Sequence, residues 1–358
     1  MTDSGNLRVS VVQFEAVPND KRGNLATLRR LASSAAADGS QLVAFPEMCL
    51  VAYWHLTKTT TEHLHELAEP ADGELVQAVQ KIAADLGTAI GAGFLEADGE
   101  KLYNSYAVCF PDGTVHIHRK LHAFEHDAIS SGENYTVFDT PWGVRMAILI
   151  CWDNNLVENV RAVALLGAKV LIAPHQTGGT NSRSPHGMKV IPLDLWHNRE
   201  HDPGALLDAV NGPYGRGWLM RWLPSRAHDN GIFVLFSNGI GPDDDEIRTG
   251  NAMIIDPYGR IVAETPVADV AVVTADLDLE LLPLATGRRW LLGRRPELYG
   301  VLTQRSGLER DARTARHSDA PVPDDFRIGE VVADLSTESD ARPRRRAHPL
   351  KRGWAESL

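Results

Sequence analysis

The strongest constraint on the fold is a rhythm. From Leu7 to about residue 300, short apolar β-branched runs alternate with longer runs whose apolar residues recur at helical spacing. Leu7–Phe14 alternates in the manner of a strand. Leu25, Leu28, Leu31, Ala32 and Ala35 then fall on one helical face, with Asn24 as the expected N-cap and Gly39 as the stop. Gln41–Phe45 is a short buried-strand pattern that ends at Pro46 and Glu47. Leu75–Leu86 and Leu156–Leu166 read as helices. Thr88–Leu95, Tyr103–Phe110, Val144–Ile150, Lys169–Ala173, Ile232–Phe236, Ala252–Ile255 and Val270–Asp276 read as strands. Such alternation predicts an α/β layered fold with helices covering sheet faces. No segment repeats.

Composition narrows the class. With 358 residues, 43% of them hydrophobic, the chain is long enough to bury a large core without covalent staples. Three cysteines form no disulfide framework, and no Cys-x-x-Cys or Cys/His cluster suggests structural zinc. No apolar run approaches the ~18 residues of a membrane span. The N-terminus lacks a basic start followed by an apolar stretch, so a cytoplasmic protein is expected. A net charge of −11 argues against nucleic acid as a partner.

Two segments break the rhythm. Residues 177–217 are rich in Gly, Pro, Asn and His and show little periodicity. A loop this long inside a compact domain is functional or serves as an oligomer arm. The tail, 305–358, has 21 charged residues in 54, with the two signs nearly balanced. It is expected to be disordered or an oligomer arm, and Arg344-Arg345-Arg346 to be a solvated basic stretch within it. The expected organisation is one domain over 7–304, with an insertion at 177–217, followed by this tail.

Three residues stand where chemistry is expected. Cys151 follows the strand Val144–Ile150 and precedes a helical run. At such an elbow a thiol is presented at the sheet edge, and exposed N–H groups with the helix dipole favour thiolate. Cys49 and Cys109 read as buried structural cysteines. Glu47 lies at the C-terminal end of a short apolar strand, where α/β folds place their sites. Lys120 follows a strand and turn. Each of the two charges alone would read as a surface group. Together the three residues supply a base, a cation and a nucleophile.

Ala44-Phe45-Pro46-Glu47-Met48, His118-Arg119-Lys120-Leu121-His122 and Leu149-Ile150-Cys151-Trp152-Asp153 resemble the three signature blocks of the nitrilase (carbon–nitrogen hydrolase) superfamily, in the family's order and at similar separations. Val11-Val12-Gln13, Tyr53, Tyr103-Asn104-Ser105, Glu158, Arg226 to Asn230 and Gly250 to Gly259 extend the resemblance over most of 7–300. The resemblance implies a four-layer α-β-β-α sandwich and a Glu-Lys-Cys triad. It makes Cys151 the nucleophile, Glu47 the general base and Lys120 the stabiliser of the tetrahedral intermediate, with the Trp152 N–H as a second donor. A fourth residue orients the lysine in many members. Glu125 is the candidate by its spacing to Gly132, with Glu133 and then Asp127 as competitors. No metal or organic cofactor is implied.

Tyr53, Trp152 and His175 are candidate substrate contacts, His175 at the pocket mouth. A structural histidine bonded to a loop carbonyl is the alternative for His175. Asp153 stands where true nitrilases usually carry glutamate, which points to the amidase-like branches. The insertion, with His186, Trp196, His197, His201 and Tyr214, reads as a lid or as an oligomer interface. Its histidines lack metal-ligand spacing. In the family the region around Trp290, Leu291, Leu292 and Tyr299 often crosses to a neighbouring subunit, so a homo-oligomer is expected. The expected activity is hydrolysis of a linear amide or N-carbamoyl compound through a Cys151 thioester, acting on a small molecule and on neither nucleic acid nor membrane. A nitrile-converting enzyme and a catalytically silent scaffold are the alternatives.

Overall fold

A computed structural model of the chain describes residues 5–182, 184–265 and 267–318. It divides into two compact units. Among the described residues, the first holds 5–294 and 311–318, and the second holds 295–310. The second unit consists of the 3-10 helix Pro296–Thr303 and a turn in which Glu309 accepts from the amides of Ser306 and Gly307.

The first unit begins with β1 (Asn6–Phe14), α1 (Lys21–Ala37) and β2 (Leu42–Ala44). Then come α2 (Thr61–Leu67), α3 (Glu74–Leu86), β3 (Ala89–Asp98), β4 (Lys101–Cys109), β5 (Val115–Arg119) and β6 (Ile129–Ser130). The middle of the chain forms β7 (Thr136–Asp139), β8 (Arg145–Ile148), α4 (Val157–Leu165) and β9 (Val170–His175). Four short helices follow, α5 (Leu193–His197), α6 (Pro203–Asn211), α7 (Arg216–Leu219) and α8 (Leu223–His228). The last strands are β10 (Phe233–Asp243), β11 (Glu246–Thr249), β12 (Met253–Ile255), β13 (Ile261–Glu264) and β14 (Ala271–Asp278). Helices α9 (Thr286–Leu292) and α10 (Ala312–His317) complete the set.

The main strand order is β5-β4-β3-β2-β1-β10-β9-β8-β7. Its central joint is thin. β1 meets β10 only through Gln13↔Asn238 and Phe14↔Gly239, whereas β14 runs antiparallel along β1 from Asn6↔Asp278 to Gln13↔Ala271. The sheet therefore acts as two halves, and alternation along each strand shows how they lie. Val9, Val11, Leu42 and Ala44 from the first half share one buried cluster with Met146, Ile148, Ile172 and Leu235 from the second. The intervening residues face outward. Val12 and Val43 pack under Leu28 and Leu31 of α1 and Val79 of α3. Leu171 and Val234 pack under Val160 of α4 and Leu223 of α8. Successive side chains on opposite faces of each strand thus build four layers, helices–sheet–sheet–helices.

Three expectations change. Helix α1 starts a turn earlier than Asn24, because Asp20 accepts from Gly23 N at 2.8 Å and caps it. Asn24 lies buried inside the helix and ties it to the Val17 and Leu50 backbone. The 177–217 segment is helical in its second part, from Leu193 onward. Ile191, Trp196, Leu206 and Val210 from α5, α6 and their approach pack on Ile240 and Ile247 as a satellite core. Part of the tail is ordered on the first unit. Asp311 caps α10, and Arg313 donates from Nη1 to the carbonyls of Phe124 at 3.1 Å and Glu125 at 3.2 Å and pairs with Asp127. Arg344-Arg345-Arg346 and the rest of the tail beyond 318 lie outside the described residues. Among the described residues no helix is long and apolar enough to cross a membrane.

Gly93 in β3 lets the turn after β2 approach. A Cβ there would sit 2.1 Å from the amide nitrogen of Met48 and 2.7 Å from the carbonyl carbon of Glu47. Gly93→Ala is expected to lower stability by roughly 1–3 kcal/mol, read as a fall in the thermal unfolding midpoint.

Candidate active site

The turn after β8 is bent sharply. Cys151 has φ 48°, a left-handed value rare for a residue with a side chain and costing about 1–3 kcal/mol. Neighbours hold it there. Asn154 Nδ2 donates to Leu149 O at 2.8 Å, and Asp153 Oδ2 accepts from Ile150 N at 3.1 Å. The Cys151 side chain opens onto a cavity of about 380 Å³.

Behind it lies a cluster of charges with no solvent exposure. Lys120 Nζ donates to Glu47 Oε1 at 2.7 Å and also to Glu125 Oε1. Asn104 Nδ2 donates to Glu47 Oε1 at 2.7 Å and Glu125 Oε1 at 3.0 Å, so one amide ties both carboxylates. Tyr53 Oη and Phe124 N add donors to Glu125 at 3.3 and 2.9 Å. Glu47 Oε2 has no hydrogen-bond partner among the described residues, which leaves it able to take a proton. Burial raises the Glu47 pKa above the ordinary carboxylate value, with Lys120 opposing. Burial disfavours the Lys120 charge, but Glu125 and Glu47 outweigh it and keep the ammonium charged.

The thiol departs from the expected thiolate. Burial and the Glu47 charge push Cys151 up to about 12, against the smaller opposing effects of Lys120 and the Gln176 backbone. The helix dipole contributes little because α4 starts only at Val157, beyond a four-residue 3-10 turn. The resting sulfur is a protonated thiol beside a base.

Asp153 joins the lysine loop to the cysteine turn. It is fully buried and accepts from the amides of Leu121 (3.2 Å), His122 (2.9 Å) and Ile150, and from His122 Nδ1 at 2.9 Å. Burial opposes its charge, but the nearby imidazoles of His118, with Nε2 3.6 Å away, and His122 outweigh that and hold its carboxyl below the usual range. The sequence marks Asn104 only as part of the family resemblance and Asp153 only as a sign of the amidase-like branches, and the bridging role of neither is visible there. The available signal is a polar residue at the centre of an otherwise buried strand or turn.

Tyr53, Phe124 and Trp152 form aromatic wall around Cys151. The 177–217 segment contributes Thr180, Ser182 and Met188, and α10 contributes Ala315 and Arg316. His175 is not at the mouth. It is enclosed behind the cysteine turn, with Nε2 3.1 Å from Asn154 Nδ2 and its ring 4.7 Å from Phe236. Burial, and then Lys120, push it down to about 3, so it stays neutral. Of the competing carboxylates only Glu125 joins the cluster. Glu133 lines a separate depression with Tyr103 and Arg119, and Asp127 is exposed and paired with Arg313. The described residues hold no group of three His, Cys, Asp or Glu arranged for a metal.

Residues 8–200 and 209–285 match the model of the carbon–nitrogen hydrolase family. The chain belongs to the carbon–nitrogen hydrolase family. It is 30% identical to an omega-amidase of Xenopus tropicalis over 77% of its own length and 90% of that protein. It is 29% identical to an (R)-stereoselective amidase of Pseudomonas sp over 83% and 95%. An N-carbamoylputrescine amidase of Arabidopsis thaliana is 28% identical over 84% and 96%. Among solved structures, a nitrilase-superfamily amidase from Nesterenkonia shares the fold at TM-score 0.61 and 21% identity, covering 84% of this chain and 98% of that one.

Cys49 and Cys109 are sealed in the core, and Cys151 reaches the cavity. Iodoacetamide is therefore expected to label the native protein at Cys151 alone, checked by peptide mass mapping. Because the thiol is raised to about 12, labelling should still climb with pH above 9, where an ordinary thiol levels off. Lys120→Ala should slow it.

Proposed function

We propose that this carbon–nitrogen hydrolase acts as a thiol amidohydrolase on a linear amide or N-carbamoyl compound. The observation that carries the reading is the cavity-facing Cys151 thiol, set on a strained turn within the field of the buried Glu47–Lys120–Glu125 cluster.

In this reading Glu47 takes the thiol proton as the sulfur attacks the amide carbon. The oxyanion that forms is met by the Lys120 ammonium and the Trp152 N–H. Collapse breaks the carbon–nitrogen bond, and Glu47 returns the proton to the departing nitrogen as ammonia or an amine. The acyl group remains on Cys151 as a thioester. Glu47 then deprotonates a water, which cleaves the thioester and restores the thiol. The net reaction consumes one water and gives a carboxylic acid. Glu125 holds the lysine in place, and Asn104 fixes the spacing of the two carboxylates. Every step uses side chains, one backbone N–H and water.

The amidase names of the relatives support an amide substrate over a nitrile. In a mutant of the Nesterenkonia amidase the acetamide moiety of fluoroacetamide is added covalently at the active-site cysteine, which supports a nucleophilic role for Cys151. Three unpaired cysteines support a reducing, cytoplasmic setting, and exposed Trp290 and Leu292 on α9 support a homo-oligomer.

Ammonia release across amides, N-carbamoyl amino acids and nitriles tests the reading. Turnover is expected with amides or carbamoyl compounds and to fall more than about a thousandfold in Cys151→Ser. Turnover confined to nitriles, or absent throughout, would overturn it. Glu47→Gln is expected to lose about a hundred- to ten-thousandfold, and Glu125→Gln to lose far more than Glu133→Gln. Because Glu47 must be ionised and its pKa is raised, activity is lost as pH falls through that raised value. The acid limb of kcat/KM should therefore sit above the ordinary carboxylate range.

A further inference from the structure

The loop that carries Glu125 is not held by its own backbone. Residues 120–128 form neither helix nor strand, and among the described residues no backbone amide donates to the carbonyl of Phe124 or of Glu125. The donor comes from α10. Arg313 Nη1 donates to Phe124 O at 3.1 Å and to Glu125 O at 3.2 Å, and Arg313 Nε pairs with Asp127. One side chain thus grips the loop on both sides of His126. A guanidinium suits this grip, because its N–H donors lie in one rigid plane and set the carbonyls relative to each other.

The same two residues face the buried charges. Glu125 Oε1 receives Lys120 and Asn104, and Glu125 Oε2 accepts from Phe124 N at 2.9 Å. The Phe124 ring centroid lies 4.6 Å from Lys120 Nζ and 5.7 Å from the Arg316 guanidinium of α10, and the His317 ring meets it edge-on at 6.0 Å. The helix has a fixed start, since Asp311 accepts from Thr314 N at 2.8 Å and from Thr314 Oγ1 at 2.6 Å. Carbonyls clamped from outside and a carboxylate directed inward belong to one short stretch of backbone. A shift of the first is therefore passed to the second. Arg313 itself is not among the residues lining the cavity.

We propose that α10 is a strap across the Glu125 loop and that Arg313 is a positioning residue for the reaction. It fixes the Phe124–Glu125 backbone, so that the Glu125 carboxylate stays on Lys120 and the ammonium stays where the oxyanion forms. This rests on the amidohydrolase reading of Cys151 and adds a residue that serves it without touching substrate. It also gives the charged tail a part in catalysis, through the segment that reaches back to the site.

Point variants of the full chain test it. On each amide that is turned over, Arg313→Ala should lower kcat about tenfold and leave KM nearly unchanged. Arg313→Lys should recover part of the loss, because an ammonium still reaches a carbonyl. Asp127→Asn, which removes the ion pair and spares both carbonyl bonds, should cost less than Arg313→Ala. In a Glu125→Gln background Arg313→Ala should cost little more, because the two changes act through one contact. An unchanged kcat, a loss carried by KM alone, an Asp127→Asn effect as large as that of Arg313→Ala, or losses that add in full would overturn the proposal. Amide hydrogen exchange separates the two readings, since it needs no substrate. The Phe124 amide reports on Glu125 directly, and in Arg313→Ala its peptide should exchange about tenfold faster while the strands keep their protection. That result upholds the strap even if turnover fails. Unchanged exchange, or exchange raised throughout the chain, sinks the strap and leaves the hydrolase intact.

Discussion

One ammonium shared between two carboxylates, out of reach of water, is what the rest of the site is built around. Lys120 comes from the end of β5, Glu47 from the turn after β2 and Glu125 from the loop before β6. Taking three charges out of water is costly, and leaving any one of them unpaired costs about 3–5 kcal/mol. The surrounding structure is therefore organised to complete the set. Asn104 bridges the carboxylates, Tyr53 and Phe124 N supply further donors to Glu125, and Gly132 N caps the Lys120 carbonyl at 2.7 Å. Burial first, and then the Glu47 charge, keep the proton on the neighbouring sulfur until a substrate carbon arrives.

This gives the site its chemical logic. A preformed thiolate would be a stronger nucleophile at rest and a more exposed target for alkylation and oxidation. Here the proton is held on sulfur by burial and by Glu47, and the same Glu47 has one oxygen without a partner. Charge separation occurs when an oxyanion is forming against Lys120 to balance it. The electrostatics are set in advance, so little reorganisation is needed at the moment of reaction.

Much of this was legible from the residues. The period-two strands and the amphipathic helices follow from local pattern, because each buried face demands its own spacing, and the three blocks around Glu47, Lys120 and Cys151 come through the family resemblance. What escaped depends on contacts between distant segments. Asn24 has the chemistry of a helix cap, and only the fold shows that Asp20 takes that place. A cysteine before a helical run suggests a lowered pKa, and only burial beside Glu47 reverses it. His175 ends β9 just before the 177–217 segment, and its enclosure by Asn154 and Phe236 is a tertiary fact. The charged tail reads as disordered or as an oligomer arm, yet a six-residue helix of it is fastened down by one arginine. Short helices such as α5 and α6 give too few turns for a period to emerge.

The narrow joint between β1 and β10 has a mechanical consequence. Glu47, Lys120 and Glu125 belong to the half that contains β2 and β5, and Cys151 belongs to the half that contains β8. Base and sulfur are thus mounted on opposite plates that share two strand-paired residue pairs and otherwise meet through side chains, apolar ones such as Val11, Ala44, Ile148 and Ile172 and the polar links of Asp153 to the Leu121 and His122 amides and of Gln176 to the Glu47 carbonyl. A small sliding of one plate over the other changes the gap between proton donor and acceptor while leaving every strand intact. Catalytic competence is therefore a finer gauge of how those inner side chains interlock than melting is.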